Sequence, residues 1–260
     1  MRCRNCGFKF TCPVPKDLNP YYDSEDYISH SKTKKGLINR LYHLAQQYNL
    51  ASKYKKAKKH AQGNKWIDYG SGAGDFLRML RNKKAEVSGV EPHEPVRLEC
   101  EKEGFSVLTP EAYLSTKTPC DVITMWHVLE HVDNLDEVLQ KHHSNLSSDG
   151  MLVIAVPNPD SLDARVYKEY WAAYDVPRHL WHFTEKDIRA LADKFGFELI
   201  EQHAMILDAF YISMLSEKYR GGNLVAAVIN GLRSNLSALL GRTPYSSQIY
   251  ILRKRPSESV

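Results

Sequence analysis

The feature that most constrains the fold is a glycine-rich turn between a short strand pattern and the start of a helix. Residues 66–69 read as a buried strand and Asp75 begins the helix pattern. The turn between them carries alternating glycines at Gly70, Gly72 and Gly74. Because glycine lacks Cβ, such a turn can adopt positive φ and let a ligand lie against the backbone. This order of elements predicts the nucleotide site of a doubly wound α/β fold.

The spacing of the turn excludes the common phosphate sites. A dinucleotide fingerprint requires glycine at the sixth position from Gly70, but Asp75 stands there and its carboxylate repels a pyrophosphate. No Lys-Ser/Thr pair follows, which excludes a P-loop. The pattern acidic-x-Gly-x-Gly-x-Gly resembles motif I of the class I S-adenosylmethionine (SAM) methyltransferases. That resemblance implies SAM as the cofactor and assigns its binding to Asp68, Gly70, Ser71, Gly72 and Gly74.

Two further segments fit the same reading. Glu91 lies about twenty residues after the glycine turn, where parallel-sheet nucleotide sites place an acid for the ribose hydroxyls. Residues 126–132, Trp-His-Val-Leu-Glu-His-Val, closely resemble the motif after the fourth strand in relatives of the ubiquinone-biosynthesis O-methyltransferases. The resemblance assigns the backbone near Met125 and Trp126 to the cofactor. We expect residues 126–132 to open a helix.

Alternating strand and helix patterns predict an α/β fold with a Rossmann-like, doubly wound, mostly parallel seven-stranded sheet. By resemblance the last strand is antiparallel. The strands are expected at residues 66–69, 86–91, 105–108, 120–125, 150–158, 196–200 and 247–252.

The predicted domain organisation has three parts. Residues 1–31 form an N-terminal arm, residues 32–64 a basic amphipathic helix or lid, and residues 65–260 the methyltransferase domain. A helical insertion at about 208–244 precedes the last strand. It could be a lid, a dimer face, a membrane-surface helix or additional packed helices.

Four histidines are candidates for the general base that a hydroxyl acceptor requires, because imidazole titrates near neutral pH. They are His127, His131, His179 and His182. We expect His127 and His131 to share one helix face, one turn apart. His131 and His179 are the preferred bases. The alternative for each histidine is a hydrogen bond that holds a loop backbone.

Acceptor contacts are predicted at four other positions. Arg178 could pair with an anionic group of the acceptor, and Trp171 could wall the pocket. In many SAM methyltransferases a segment before the core folds over the cofactor, and by that resemblance Tyr27 and His30 line the lid. Ordinary packing is the alternative for these side chains.

The cysteines predict no catalytic metal. Cys3 and Cys6 form one knuckle of a zinc ribbon, but closure needs four ligands. Only Cys12 and the remote His30 could add to it. Carboxylates near the fourth strand, such as Glu130, are scattered. The odd count of five cysteines argues against a disulfide framework.

The composition predicts a soluble cytoplasmic enzyme, because no apolar run reaches membrane-span length and the N-terminus lacks a signal core. We expect methyl transfer from SAM to a small-molecule, lipid or glycan-linked acceptor, most simply at oxygen. Peripheral membrane contact stays open. The alternatives are an RNA-binding or RNA-modifying enzyme, suggested by the basic helix and the Cys-x-x-Cys arm, and a SAM-binding scaffold without catalysis. The acceptor and the oligomeric state do not follow from the sequence.

Overall fold

The computed structural model describes residues 1–22 and 37–256, excluding the side chains of residues 19, 22 and 37–45. Tyr27 and His30, which were predicted to line the lid, lie outside the described residues. The basic helix is described from Leu37 and ends at Lys58.

The seven predicted strands are present, and the described residues also contain two short strands that were not predicted. In chain order the strands are β1 (Lys9–Phe10), β2 (Lys65–Tyr69), β3 (Glu86–Val90), β4 (Ser106–Leu108), β5 (Cys120–Trp126), β6 (Leu146–Pro157), β7 (Trp181–His182), β8 (Phe197–Ala204) and β9 (Ser247–Lys254). Seven of them form one sheet in the order β4-β3-β2-β5-β6-β9-β8. β2 pairs in parallel with both β3 and β5, and β3 pairs in parallel with β4.

The last strand, β9, is antiparallel, as predicted. The N–H of Asn158, just after β6, donates to the carbonyl of Ser246, just before β9, at 2.8 Å. The end of β6 therefore meets the beginning of β9. The predicted Rossmann-like, mostly parallel seven-stranded sheet is confirmed.

Helices alternate with the strands. They are α1 (Asn19–Tyr22), α2 (Leu37–Lys58), α3 (Asp75–Asn82), α4 (Glu94–Lys102), α5 (Pro110–Ser115), α6 (Leu135–Asn145), α7 (Leu162–Tyr167), α8 (Glu185–Lys194), α9 (Ile206–Arg220) and α10 (Leu224–Leu239). α8 begins with a capping box between Thr184 and Asp187, which satisfies backbone N–H groups at the helix start.

The chain forms two compact units. The glycine-turn unit contains Lys16–Met125, Asp136–Val153 and the residues from Arg253 onward. The histidine unit contains Met1–Pro15, Trp126–Leu135 and Ile154–Leu252. One hydrophobic cluster of the first unit joins Leu77, Cys100, Phe105 and Val107. One of the second joins Ala164, Tyr167, Trp171, Ala172, Ala173 and Ile212.

The insertion before β9 consists of α9 and α10. A Cβ at Gly231 would lie 2.7 Å from Phe210 Cδ1, so glycine lets these helices approach closely. The outer side of α10 is apolar and exposed, at Leu224, Val225, Leu232, Leu236 and Leu239. No helix among the described residues is long and apolar enough to span a membrane.

The N-terminal arm packs on the segment that carries two of the predicted histidines. β1 pairs antiparallel with β7. The ring of Phe8 stacks on Trp181 with centroids 5.8 Å apart. Lys9 also forms an ion pair with Asp160 at 3.0 Å.

The helix predicted at residues 126–132 was wrong. β5 extends through Trp126, a single 3₁₀ turn covers Leu129–His131, and the helix begins at Leu135. His127 has a φ of 58°, in the left-handed region, so it cannot lie in a right-handed helix with His131. The predicted shared helix face of these two histidines does not exist.

Candidate active site

The glycine turn of the glycine-turn unit has the backbone its sequence predicts. Gly70, Gly72 and Gly74 have φ values of 78°, 51° and 80°. The N–H groups of Gly70 and Ser71 donate to the carbonyl of Val90, which holds the turn beside the end of β3. A Cβ at Gly72 would meet no atom within 4 Å, so this side of the turn is open.

Glu91 fastens the turn from the neighbouring strand. Its Oε2 accepts a hydrogen bond from the N–H of Gly72 at 2.9 Å, and its Oε1 accepts one from the N–H of His93 at 3.0 Å. Each carboxylate oxygen can accept a second hydrogen bond, so the buried Glu91 retains capacity for two hydroxyl donors.

Asp68 is a buried acid at the end of β2. Burial raises the pKa of Asp68 to about 7, although the hydrogen bond from Thr124 lowers it. That bond joins Thr124 Oγ1 to Asp68 Oδ1 at 2.5 Å. A nearby cationic ligand would favour the ionised carboxylate, because opposite charges lower an acid's pKa.

These residues fit SAM. The open side of Gly72 leaves room against the backbone, Glu91 can accept from ribose hydroxyls, and Asp68 can balance an ammonium group. The hydroxyl of Ser71 is buried and has no hydrogen-bond partner within the described part of the chain, so it too can bond a ligand. Met125 is fully buried at the end of β5 and Trp126 follows it.

In the histidine unit, His127 is engaged by two acids. Its Nε2 lies 3.0 Å from Asp208 Oδ2, and its Nδ1 lies 3.5 Å from Glu130 Oε1. Burial opposes the charged imidazole, but Asp208 and Glu130 outweigh it and raise the pKa of His127 to about 9. His127 is therefore protonated at neutral pH and is poorly suited to accept a proton.

His131 and His179 are in contact, although 48 positions separate them in the chain. Their rings meet edge to face with centroids 4.5 Å apart. Burial and the neighbouring His179 lower the pKa of His131 to about 4. A backbone hydrogen bond joins the two segments that carry these histidines: the N–H of Leu180 donates to the carbonyl of Glu130 at 2.7 Å.

Three more of the predicted site residues, His182, Trp171 and Arg178, belong to the histidine unit. Burial lowers the pKa of His182 to about 4. Trp171 is buried and its Nε1–H donates to Asp163 at 2.7 Å. Arg178 donates from Nη2 to Asp175 Oδ1 at 2.6 Å. One small pocket is lined by Pro157, Pro159, Trp171, Ala173, His179, Trp181 and His182.

Sequence reasoning missed the convergence of Glu130 with two histidines. Among the described residues, Glu130, His131 and His179 each offer a ligand atom, and these atoms lie within 4.8 Å of one another. The thiols of Cys3, Cys6 and Cys12 are free. The N–H groups of Cys6 and Asn5 lower the pKa of Cys3. His30, the predicted fourth zinc ligand, lies outside the described residues.

Comparisons with known proteins place this chain in a methyltransferase family. A family model described as a methyltransferase domain matches residues 40–202. The ubiquinone biosynthesis O-methyltransferase of Actinobacillus pleuropneumoniae serotype 5b is 31% identical over 109 residues, which are 37% of this chain and 47% of that protein. The match thus spans about half the length of this curated relative.

Solved methyltransferases share the fold. A SAM-dependent methyltransferase from Archaeoglobus fulgidus superposes with a TM-score of 0.54 at 22% identity, covering 80% of this chain and 94% of that one. The magnesium protoporphyrin IX methyltransferase from Synechocystis, solved with bound S-adenosylhomocysteine (SAH), gives 0.58 at 15% identity, covering 91% and 98%.

Proposed function

The chain belongs to the methyltransferase family whose model it matches over residues 40–202 and uses SAM as its cofactor, and we propose that it methylates a hydroxyl oxygen. The proposed acceptor is a small molecule or a lipid- or glycan-linked group. SAM supplies an electrophilic methyl group on a sulfonium. The chain must bind that cofactor, orient the acceptor and receive the hydroxyl proton.

The observation that carries the choice of oxygen is the buried cluster of Glu130, His131 and His179. A hydroxyl is a weak nucleophile until its proton is removed, so oxygen methylation needs a proton acceptor. His127 is already protonated at neutral pH, whereas His131 is neutral. Because its pKa is lowered to about 4, His131 is a weak base alone and acts here together with His179, which its ring contacts. We assign proton removal to the cluster, with His131 and His179 as its imidazoles. The Actinobacillus relative is a ubiquinone biosynthesis O-methyltransferase, which supports the same chemistry for this chain.

The remaining assignments follow from position. Trp171, His179 and His182, whose side chains lie together in the histidine unit, are our proposed contacts for the acceptor. Arg178 is paired with Asp175, so an anionic acceptor group would have to share or displace that ion pair. Asp68, Gly70, Ser71, Gly72, Gly74, Glu91, Met125 and Trp126 are the proposed cofactor contacts.

The test uses a panel of phenolic, sugar and amine acceptors with radiolabelled SAM. We expect turnover on a hydroxyl acceptor, at least 100-fold slower in His179→Ala and His131→Ala, with SAH affinity unchanged. His93→Ala changes an exposed histidine and is the matched control. Exclusive turnover of amines would overturn the choice of oxygen. Full activity of both cluster variants would overturn the role of the cluster.

A further inference from the structure

Helix α10 has its polar and apolar faces in the reverse of the usual arrangement. A helix at the surface of a globular protein normally turns its apolar stripe toward the core. All seven Leu, Val and Ile side chains of α10 are instead exposed to solvent. The buried face consists of small and polar residues, namely Ala227, Asn230, Gly231 and Ser234. This arrangement indicates a partner on the outer side of the helix.

Hydrogen bonds on the buried face hold α10 in this orientation. The hydroxyl of Ser234 donates to Asp163 Oδ1 at 2.8 Å, and Nδ2 of Asn230 donates to the hydroxyl of Tyr167 at 3.0 Å. A rotation of the helix that buried its leucines would break both bonds and take a donor from the fully buried Asp163 carboxylate. The apolar face is therefore fixed toward the outside of the histidine unit.

The exposed side chains of α10 are spaced as in a coiled coil. Val225, Ile229, Leu232, Leu236 and Leu239 follow one another at alternating steps of four and three residues. Each of these side chains is between 50% and 73% exposed. A repeat of about 3.5 residues is typical of the a and d positions that pack against a second helix. The five residues form a short seam, so pairing along it needs the folded unit to hold the helix in place.

Helix α9 extends this apolar surface. Leu207 and Met214 are exposed and lie on the side of α9 opposite its buried residues Ala209, Ile212 and Ser216. The two helices pack against each other, and both also pack on residues 162–174, so their exposed rows lie on one outer side. We call this surface the hairpin face, and its members are Leu207, Met214, Val225, Val228, Ile229, Leu232, Leu236 and Leu239.

The hairpin face is large enough for a specific interface. A half-exposed apolar side chain offers on the order of 100 Å², so its eight residues together offer about 800 Å². A standard protein interface removes about 800 Å² of surface from each partner. The largest apolar patch on a typical monomer is about 300–600 Å². The area of the hairpin face therefore matches an interface better than an ordinary protein surface.

We propose that the hairpin face binds the same face of a second copy of this chain. The same residues on both copies then form an isologous interface with two-fold symmetry. The two hairpins pack as a four-helix arrangement in which the seams of the two α10 helices meet. The apolar side chains that the single chain leaves in water are buried in the pair.

The charges of α10 favour a second copy over a lipid surface. Within the described helix α10, Arg233 is the one charged residue, and it lies beside the seam. Two copies of an uncharged seam can meet without placing like charges opposite each other. A helix that lies on an anionic membrane usually carries many Lys and Arg residues on a solvated polar face. The polar face of α10 is buried against its own unit.

The pair is expected to dissociate on dilution. Because the seam has only five residues in each chain, we expect a Kd of about 1–10 µM. Well below that concentration the chain is single and Leu236 is solvated, so Leu236 contributes little to the unfolding free energy of the dilute protein. The pairing does not depend on which atom the enzyme methylates.

Sedimentation velocity of the full-length, tag-free protein tests the pairing over concentrations from about 0.5 to about 200 µM. A reducing agent prevents disulfide-linked pairs of the free cysteines. We expect one chain at the lowest concentration and two at the highest. Leu232→Glu/Leu236→Glu should raise the Kd at least 30-fold. Tyr48→Glu/Leu98→Glu changes two exposed side chains of the glycine-turn unit and should leave the Kd unchanged as the matched control.

A mixing experiment distinguishes a broken interface from a misfolded chain. Leu232→Glu/Leu236→Glu and Leu232→Lys/Leu236→Lys each place like charges across the interface, so each variant alone should stay single. An equimolar mixture should form a heterodimer, because opposite charges then meet whichever way the two helices run. Circular dichroism reports the folding of each variant.

Four results would overturn the proposal. The first is a single chain at about 200 µM, and the second is a dimer that the seam variants leave intact. The third is a mixture of folded Glu and Lys variants that does not pair. The fourth is binding of a single chain to vesicles of phosphatidylcholine and phosphatidylglycerol that Leu232→Glu/Leu236→Glu abolishes, which would assign the hairpin face to a lipid surface.

Discussion

The carboxylate of Glu91 accepts a hydrogen bond from the backbone N–H of Gly72 at 2.9 Å. The acid after β3 thus holds the turn after β2 while it remains able to accept from ligand hydroxyls. Glu91→Gln replaces one carboxylate oxygen by a donor and removes the charge. We expect SAH affinity to fall about 10- to 100-fold, or about 1.4–2.7 kcal/mol.

Calorimetry with SAH measures this loss. Glu94→Gln is the matched control, because Glu94 is an exposed acid three residues later. Equal SAH affinities of the two variants would contradict the assignment of Glu91.

A second prediction distinguishes the cost of backbone strain at a glycine from the loss of space for the cofactor. Gly72 and Gly104 have φ values of 51° and 82°, and a Cβ at either would meet no atom within 4 Å. Alanine at either site should cost about 1–2 kcal/mol of stability through the left-handed φ. At Gly72 the added methyl group also enters the proposed cofactor space. We expect Gly72→Ala to lower SAH affinity at least tenfold and Gly104→Ala to leave it unchanged. Equal losses in the two variants would argue against a cofactor site at Gly72.

Asp68 supplies a prediction about pH. Its pKa is raised from 3.8 to about 7 in the folded protein. Between these pH values the folded state keeps a proton that the unfolded state has lost, so stability falls as pH rises from about 4 to about 7 and is then level. Asp68→Asn removes this effect. We expect the cofactor-free variant to be about 2–4 kcal/mol more stable than the parent at pH 8.

The same substitution should weaken SAH binding, because the carboxylate that balances the ammonium group is gone. Urea unfolding at pH 5 and pH 8 measures stability, and calorimetry measures affinity. Asp149→Asn, at an exposed acid, is the control. A stability difference that is the same at both pH values would contradict the raised pKa.

The parts of the fold that could be predicted are those encoded locally. The strand, the glycine turn and the helix from Asp75 lie within a dozen residues. The position of Glu91 follows from the length of one βα unit, since β3 lies beside β2. Periodicity and turn chemistry act over such short distances, so the sequence pattern reports them directly.

The contacts of the predicted histidines could not be predicted, because they join residues that are distant in sequence. Thr11 and His179 are 168 positions apart, and β1 and β7 have two residues each, too few for an alternation pattern. The left-handed φ of His127 ends the expected helix without a glycine to signal it. The contact between charged His127 and Asp208 can stabilise this φ, but no sequence motif indicates that contact.

The exposed apolar face of α10 gives a further prediction. Leu236 is exposed on that helix, whereas Ile212 is buried on α9 beside Trp171. Leu236→Ser should change the free energy of unfolding by less than about 0.5 kcal/mol. Ile212→Ser should cost about 3 kcal/mol or more, because it leaves a cavity and buries a hydroxyl. Urea unfolding of both variants measures this, and a large loss in Leu236→Ser would mean that the face is covered in solution.

The hydrogen bonds of Asp163 give a prediction about how the insertion before β9 is attached to the rest of its unit. It is fully buried; its Oδ1 accepts from the hydroxyls of Ser234 and Ser246 at 2.8 and 2.7 Å, and its Oδ2 accepts from Trp171 at 2.7 Å. These bonds join α7, α10 and the start of β9. In Asp163→Asn one oxygen can still accept from Trp171, but the amide must donate to the two hydroxyls, which have to turn and accept. We expect a loss of about 2 kcal/mol in unfolding free energy.

The matched variant is Asp160→Asn, three residues earlier. Asp160 pairs with Lys9, and its side chain is 49% exposed, so solvent screens the pair and its loss should cost less than about 1 kcal/mol. Urea unfolding at neutral pH compares the two, with tryptophan fluorescence reporting on Trp171 among the other indoles. Equal losses would mean that the buried carboxylate contributes no more than a surface ion pair, and the attachment of α10 would then have to come from apolar contacts such as Gly231 against Phe210.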